Sequence, residues 1–284
     1  MATRALSIVI PAHNEEAMIG VILRGLLADA ERGELDIIVV ANGCTDRTAE
    51  IARAISPDIR VVEIAESSKI AALNAGDAIA FGTPIAYVDA DVRVDAAAAR
   101  ALAAALSDGG VPRVASPLFE LDLHGCSWAV RQYFRIWLLN DYNSAGHIGS
   151  GVYAVSAAGR ARWTTFPDVI ADDRFVQQLF ADEERVVLKE HAFSVPAPQT
   201  LRAQIRRSVR IHAGNAELRN RGIAGAEKGG QAQSLAHRVA RRPRLWLAFA
   251  VYCTAYALTR FEAAAIRRSK KTVGWRRDDT TRVA

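Results

Sequence analysis

Short apolar runs alternate with amphipathic stretches along the first hundred residues. Leu6 to Ile10, Asp36 to Val40, Arg60 to Ile64 and Pro84 to Val88 are brief and rich in Ile and Val, with polar segments on either side. That pattern predicts buried strands. Between them lie helical patterns. One starts at about Glu15 and puts Ile19, Ile22, Leu23 and Leu26 on one face. Others run over Asp46 to Ile55, Lys69 to Phe81 and Asp95 to Leu106. A β-α-β-α-β-α-β-α order predicts an α/β fold, with a mainly parallel central sheet covered by helices on both faces.

After Leu106 the pattern loosens. Val114 to Leu123 reads as one or two strands around Pro117, and Ser127 to Leu139 as a helix carrying Trp128, Tyr133 and Trp137. Gly149-Ser150-Gly151 predicts a glycine turn that opens a strand. Asp173 to Phe180 reads as a short helix, Gln199 to Leu218 as a long basic helix, and Ile223 to Gln233 as a mobile glycine-rich loop. Leu245 to Thr259 holds no charge and is flanked by RRPR and RRSKK. As a helix it spans roughly 22 Å, short of the roughly 30 Å hydrocarbon core of a bilayer. It is expected to lie in a membrane interface, giving peripheral contact through residues 243–271. The alternative is a helix packed on the domain.

Charge separates the two ends of the chain. Of 284 residues, those before Arg202 carry a net charge of −9 and those from Arg202 onward a net charge of +14. A basic block of this kind suits phosphate or anionic lipid. Three scattered cysteines, Cys44, Cys126 and Cys253, suggest neither a zinc site nor a disulfide framework. The N-terminus leads almost directly into a strand, so a signal peptide is not expected.

In a parallel sheet the ligand crevice lies beyond the carboxyl ends of the strands, at the point where strand order reverses. Polar groups follow the strands here: Pro11-Ala-His13-Asn-Glu15-Glu, then Ala41-Asn42-Gly-Cys-Thr-Asp, then Asp89-Ala-Asp91. If the fourth strand continues to Asp91, both carboxylates emerge on one face. Hard cations such as Mg²⁺ take one or two carboxylates together with substrate phosphates. A solvated turn is the alternative reading of the pair.

The ordered segments SIVIPAHNEE, VVANGCTDRTAEIA, KIAALNAG and YVDAD resemble the family 2 glycosyltransferases of GT-A fold, over roughly residues 5–215. The resemblance implies a GT-A domain over residues 1–220, with a nucleotide-binding half (1–106) and an acceptor half (107–220). Residues 221–284 form a C-terminal extension. It implies a nucleoside-diphosphate-sugar donor, UDP foremost and GDP as the alternative, and a hydroxyl acceptor; the apolar C-terminal segment with its basic flanks points to a lipid-linked one. Pro11, His13, Glu15, Asn42, Lys69 and Asp89 would line the donor site; Asn42 stands where the family usually has an aspartate. Asp91 and Asp89 would hold Mn²⁺ or Mg²⁺. IADDRFVQQL matches the segment that carries the family's base, which points to Asp173 with Asp172 beside it. Arg207 and Arg210 on the basic helix would meet phosphate, and His212 would complete the metal shell. Gly149, Ser150 and Gly151 would border the acceptor. Trp275-Arg-Arg-Asp resembles a tail of membrane-associated polysaccharide transferases. No nucleic-acid partner is expected, and the expected location is the cytoplasm, at the inner face of the cell membrane. Two other readings stay open: a retaining GT-A transferase and a non-catalytic nucleotide-sugar-binding scaffold.

Overall fold

The computed structural model describes residues 5–108, 110–140, 148–223 and 231–268. The Trp275 tail and Gly225, Gly229 and Gly230 lie outside them. Seven strands form one sheet in the order β3-β2-β1-β4-β6-β5-β7. They are β1 (Leu6–Ala12), β2 (Leu35–Asn42), β3 (Arg60–Ile64), β4 (Ile85–Val88), β5 (Val114–Asp122), β6 (Val152–Val155) and β7 (Arg185–Pro196). β1 to β4 pair in parallel, and β6 runs antiparallel to both β4 and β5. Strand order reverses at β1, which has β2 on one side and β4 on the other. The mainly parallel, helix-flanked sheet is the architecture the periodicity predicts.

The helices are α1 (Ile19–Leu27), α2 (Thr48–Ile55), α3 (Lys69–Ile79), α4 (Ala96–Ala105), α5 (Trp128–Trp137), α6 (Ala157–Arg160), α7 (Asp172–Gln178), α8 (Leu201–Asn220), α9 (Gln231–Ala240) and α10 (Trp246–Arg268). Ile8, Ile10 and Val39 from the strands meet Ile19, Leu23, Leu26 and Leu102 from α1 and α4 in one buried cluster. On α3, Gly76 brings the helix against β1 and β2. A Cβ there would fall 2.4 Å from Val9 Cγ1. Ser68 caps α3 by accepting from the Ala71 N–H, and Asp95 caps α4 by accepting from the Ala98 N–H.

The described residues fall into two compact units, 5–121 with 148–195 and 122–140 with 196–268. In the second unit α10 packs on α5 and α8. Leu235 and Val239 of α9 join Ile136, Leu245 and Ala248 in a small core.

Several elements differ from their sequence expectation. α1 begins at Ile19 rather than at Glu15, because Asn14 is left-handed (φ 52°) and Glu15 to Met18 form a turn. The Val114 segment is one strand. β7 has no counterpart in the predicted elements: it is an edge strand, and Lys189-Glu190-His191 interrupts its apolar alternation. α9 covers part of the expected loop; among its described side chains Leu235 and Val239 are buried.

Candidate active site

The loops after β1 and β2 are laced together. Asn14 Oδ1 accepts the Thr45 N–H at 2.6 Å. The Glu15 N–H donates to Thr48 Oγ1 at 2.7 Å, and the Thr48 hydroxyl donates to Asp46 Oδ1 at 2.5 Å. Asn42 is fully buried and donates its side-chain N–H to the Ala12 carbonyl at 3.0 Å. His13 Nδ1 lies 2.6 Å from the Asn42 carbonyl. A carbonyl can only accept, so the proton sits on Nδ1. Pro11 and Glu15 are buried and His13 is half-buried. Pro11 and Asn42, in the last residues of β1 and β2, and His13 and Glu15, just after β1, thus lie together at the carboxyl edge of the sheet.

A second set of residues forms an acidic wall. β4 does not run on to Asp91: it ends at Val88, and a turn follows, closed by the Val92 N–H on the Asp89 carbonyl at 3.1 Å. Strand alternation therefore does not place the two carboxylates. Turn geometry does, and the Asp89 N–H is held by the Gly151 carbonyl at 2.8 Å. Lys69, at the first position of α3, reaches Asp89 Oδ1 at 2.7 Å and Asp172 Oδ1 at 2.8 Å. Asp172 is 3% exposed and also accepts the Tyr153 hydroxyl at 3.2 Å. Burial works against the Lys69 ammonium, but Asp172 and Asp89 outweigh it and raise its pKa above the ordinary lysine value. Burial pushes the Asp89 carboxyl up to about 6; Lys69 pulls against that shift, while Asp172 and Asp91 add to it.

Asp173 is half-buried and differently held. Its carboxylate accepts the Ser150 N–H at 3.0 Å and the Arg174 N–H at 2.7 Å. The turn that supplies Ser150 has three successive positive φ angles: 122° at Gly149, 64° at Ser150 and 112° at Gly151. A Cβ at Gly149 would fall 2.7 Å from Asp173 Oδ2, and one at Gly151 would fall 2.5 Å from Val92 Cγ2. The glycines thus let one turn touch both Asp89 and Asp173.

Sequence reasoning missed the residues that brace this wall. Asn74 holds the Phe166 backbone from both sides, donating to its carbonyl at 3.1 Å and accepting its N–H at 2.8 Å. Asp77 accepts the Tyr87 hydroxyl at 2.8 Å and pairs with Arg160. Only the resemblance of KIAALNAG hinted at Asn74; Tyr153 and Arg160 gave no signal. Arg207, Arg210 and His212 are half-buried on α8, in the second unit. The His212 ring meets Tyr256 edge-on, with centroids 6.4 Å apart.

Among the described residues no three His, Cys, Asp or Glu side chains gather closely enough to hold a metal ion by themselves. A cation at Asp89 and Asp91 would have two hard oxygen donors from the chain. That set fits Mg²⁺ or Mn²⁺ completing its shell with phosphate and water.

Residues 7–146 match the family described as glycosyl transferase family 2. The chain carries a family 2 glycosyltransferase domain. A 4,4'-diaponeurosporenoate glycosyltransferase of Staphylococcus aureus is 38% identical over 95 residues. That match covers 31% of this chain and only 24% of the relative's length. Among solved structures, a mannosyltransferase from Pyrobaculum calidifontis in complex with GDP-Man and Mn²⁺ superposes with a TM-score of 0.60 at 21% identity, over 95% of this chain and 80% of its own. S. aureus TarS 1-349 in complex with UDP-GlcNAc gives 0.53 at 16% identity, over 95% and 93%. At these identities the likeness is one of fold, and both share the GT-A architecture. No helix among the described residues is long and apolar enough to cross a membrane.

Proposed function

We propose that the protein is a metal-dependent, inverting glycosyltransferase that moves a sugar from a nucleoside diphosphate to a hydroxyl acceptor, lipid-linked and belonging to the cell envelope. One observation carries this reading. Asp89 and the Gly149–Gly151 turn link a candidate diphosphate wall to Asp173, beyond the strand ends where a GT-A sheet takes its ligand. His13 faces the nucleoside, with Pro11, Glu15 and the buried Asn42 shaping that side of the site behind it. Asp91 and Asp89 hold the cation, and Lys69 adds positive charge beside them. A bound Mn²⁺ or Mg²⁺ would neutralise the departing diphosphate. Asp173 takes the acceptor proton as general base. It is the better placed of the two aspartates, because Asp172 is 3% exposed and ion-paired with Lys69, whereas Asp173 is half-buried and its oxygens accept backbone N–H groups. A single displacement driven by one base inverts the sugar carbon. Gly149, Ser150 and Gly151 border the acceptor.

The donor is UDP-linked, with GDP as the second nucleotide to test; the solved relatives carry both kinds. The test is a thermal-shift screen of UDP- and GDP-sugars, each with Mn²⁺ and with chelator. A ligand that binds only the native state raises its stability. The expected result is a shift with one nucleotide that needs the metal and disappears in Asp91→Ala. A shift that ignores both chelator and the Asp91 substitution would remove the metal from the proposal.

A further inference from the structure

The outward face of α10 is apolar where a solvent-facing helix is ordinarily polar. Trp246 is 58% exposed, Leu247 63% and Phe261 74%, and Leu258 and Tyr256 are also open. At about 100° per residue, Trp246, Leu247, Ala250, Leu258 and Phe261 share one sector of about 120°. No charged residue falls in that sector between positions 246 and 265. The opposite face is already used: Ala248, Ala255 and Thr259 are buried, and the helix packs on α5 and α8. The stripe is therefore surplus to the fold of its own unit.

Its surroundings are cationic. Arg241, Arg242 and Arg244 are exposed just before the helix, and Arg260 is exposed along its side. A second copy of the chain would bring the same charge, +14 against +14 from Arg202 onward, so self-pairing through this face is opposed electrostatically. An anionic bilayer surface complements both features. Apolar side chains enter the acyl boundary, Trp and Tyr suit the headgroup level, and arginines meet lipid phosphates.

We propose that α10 is a monotopic membrane-docking helix that lies in the plane of an anionic lipid surface, with the Trp246, Leu247, Leu258 and Phe261 face inserted. It deepens the membrane-linked part of the proposed function, but it needs no nucleotide, metal or activity to be tested. The probe is the full chain in flotation assays with phosphatidylcholine vesicles, with and without phosphatidylglycerol. The expected result is binding to the anionic vesicles at least about tenfold stronger than to neutral ones, weakened by salt. The pair Leu247→Glu and Phe261→Glu should reduce that binding at least about tenfold while the melting temperature stays unchanged, because both side chains project outward. Binding that survives this pair would reduce the contact to charge alone and overturn the insertion. Absence of binding to anionic vesicles at low salt would overturn the proposal. So would a concentration-dependent dimer that the same pair abolishes, since the face would then belong to a second copy.

Discussion

Lys69 Nζ sits 2.8 Å from Asp172 Oδ1, tying the first residue of α3 to the first residue of α7 deep in the sheet unit. The same ammonium holds Asp89 at 2.7 Å. One cation thus spaces a donor-side carboxylate and the carboxylate next to the proposed base. Removing it leaves Asp172 buried beside Tyr153 with its ionic partner gone. Breaking one side of such a pair costs about 3 kcal/mol or more. Lys69→Met is expected to lose about that much in urea unfolding, and Asp172→Asn in the same chain should recover part of the loss. Strictly additive losses in the double-mutant cycle would show that the two residues are not coupled.

The Gly149–Gly151 turn makes a sharper claim about geometry. Gly149→Ala places a Cβ 2.7 Å from Asp173 Oδ2 at a φ of 122°. Asp173 or the turn must shift, so turnover should fall at least about tenfold, the scale expected when a catalytic group is displaced by an ångström. Donor binding should fall less than turnover, because the nucleoside-side residues lie on β1, β2 and the loop after β1 rather than on this turn. Gly82→Ala meets nothing within 4 Å and serves as the neutral control. Equal activities for the two variants would disconnect the turn from Asp173.

The core of α3 offers a stability test free of the chemistry. Gly76→Ala drives a methyl to 2.4 Å from Val9 Cγ1 and 3.2 Å from Val40 Cγ2. Both are strand side chains in the sheet core, so overpacking should cost about 1–3 kcal/mol. The check is chemical denaturation. An unchanged midpoint would mean that α3 slides outward without penalty.

The parts of this molecule that read clearly from sequence are those whose cause is local. β1 to β4 are short Ile- and Val-rich runs, and α3 and α4 begin within a residue of their expected starts, where the structure shows Ser68 and Asp95 as the caps. The acidic turn was visible as a pair of carboxylates, but its spacing mechanism was not. Strand alternation was the natural guess, and the structure uses a turn pinned by Gly151 instead. Lys69 looked like a nucleotide-side charge because its partners lie on other elements, Asp172 far along the chain. Asn42 is expected from sequence to line the donor site, and the structure buries it with its side-chain N–H on the Ala12 carbonyl. β7 has no clear sequence signal because an edge strand needs little apolar alternation, and only Phe193 and Val195 of its twelve residues are buried.

Acid should weaken the surface clasp between Glu184 and Arg162. Hydrogen bonds from Arg162, and then the Ala181 N–H, hold the Glu184 carboxyl at about 2, down from 4.5. A depressed acidic group contributes stability that is fully present above 4.5 and is lost as pH falls through about 2. The difference in urea midpoint between the wild type and Glu184→Gln should therefore narrow over that window. A constant difference would mean that the pair's charge does not matter.

The two neighbouring aspartates of α7 should separate by what they fail to do. Asp173 is half-buried and accepts a backbone N–H on each oxygen, so Asp173→Asn keeps the side-chain volume, gives up one of those two hydrogen bonds and cannot take a proton. Loss of a general base costs about 10²- to 10⁴-fold in turnover. Melting temperature and nucleotide affinity should stay close to wild type. Asp172→Asn removes a buried charge that Lys69 neutralises and Tyr153 contacts, so its main effect should be on stability, with a smaller fall in turnover through the displacement of α7. Parallel measurements of kcat, donor Kd and melting temperature distinguish the two roles. If Asp172→Asn were the variant that stayed folded and lost turnover, the base would have to be reassigned, and Lys69 with it.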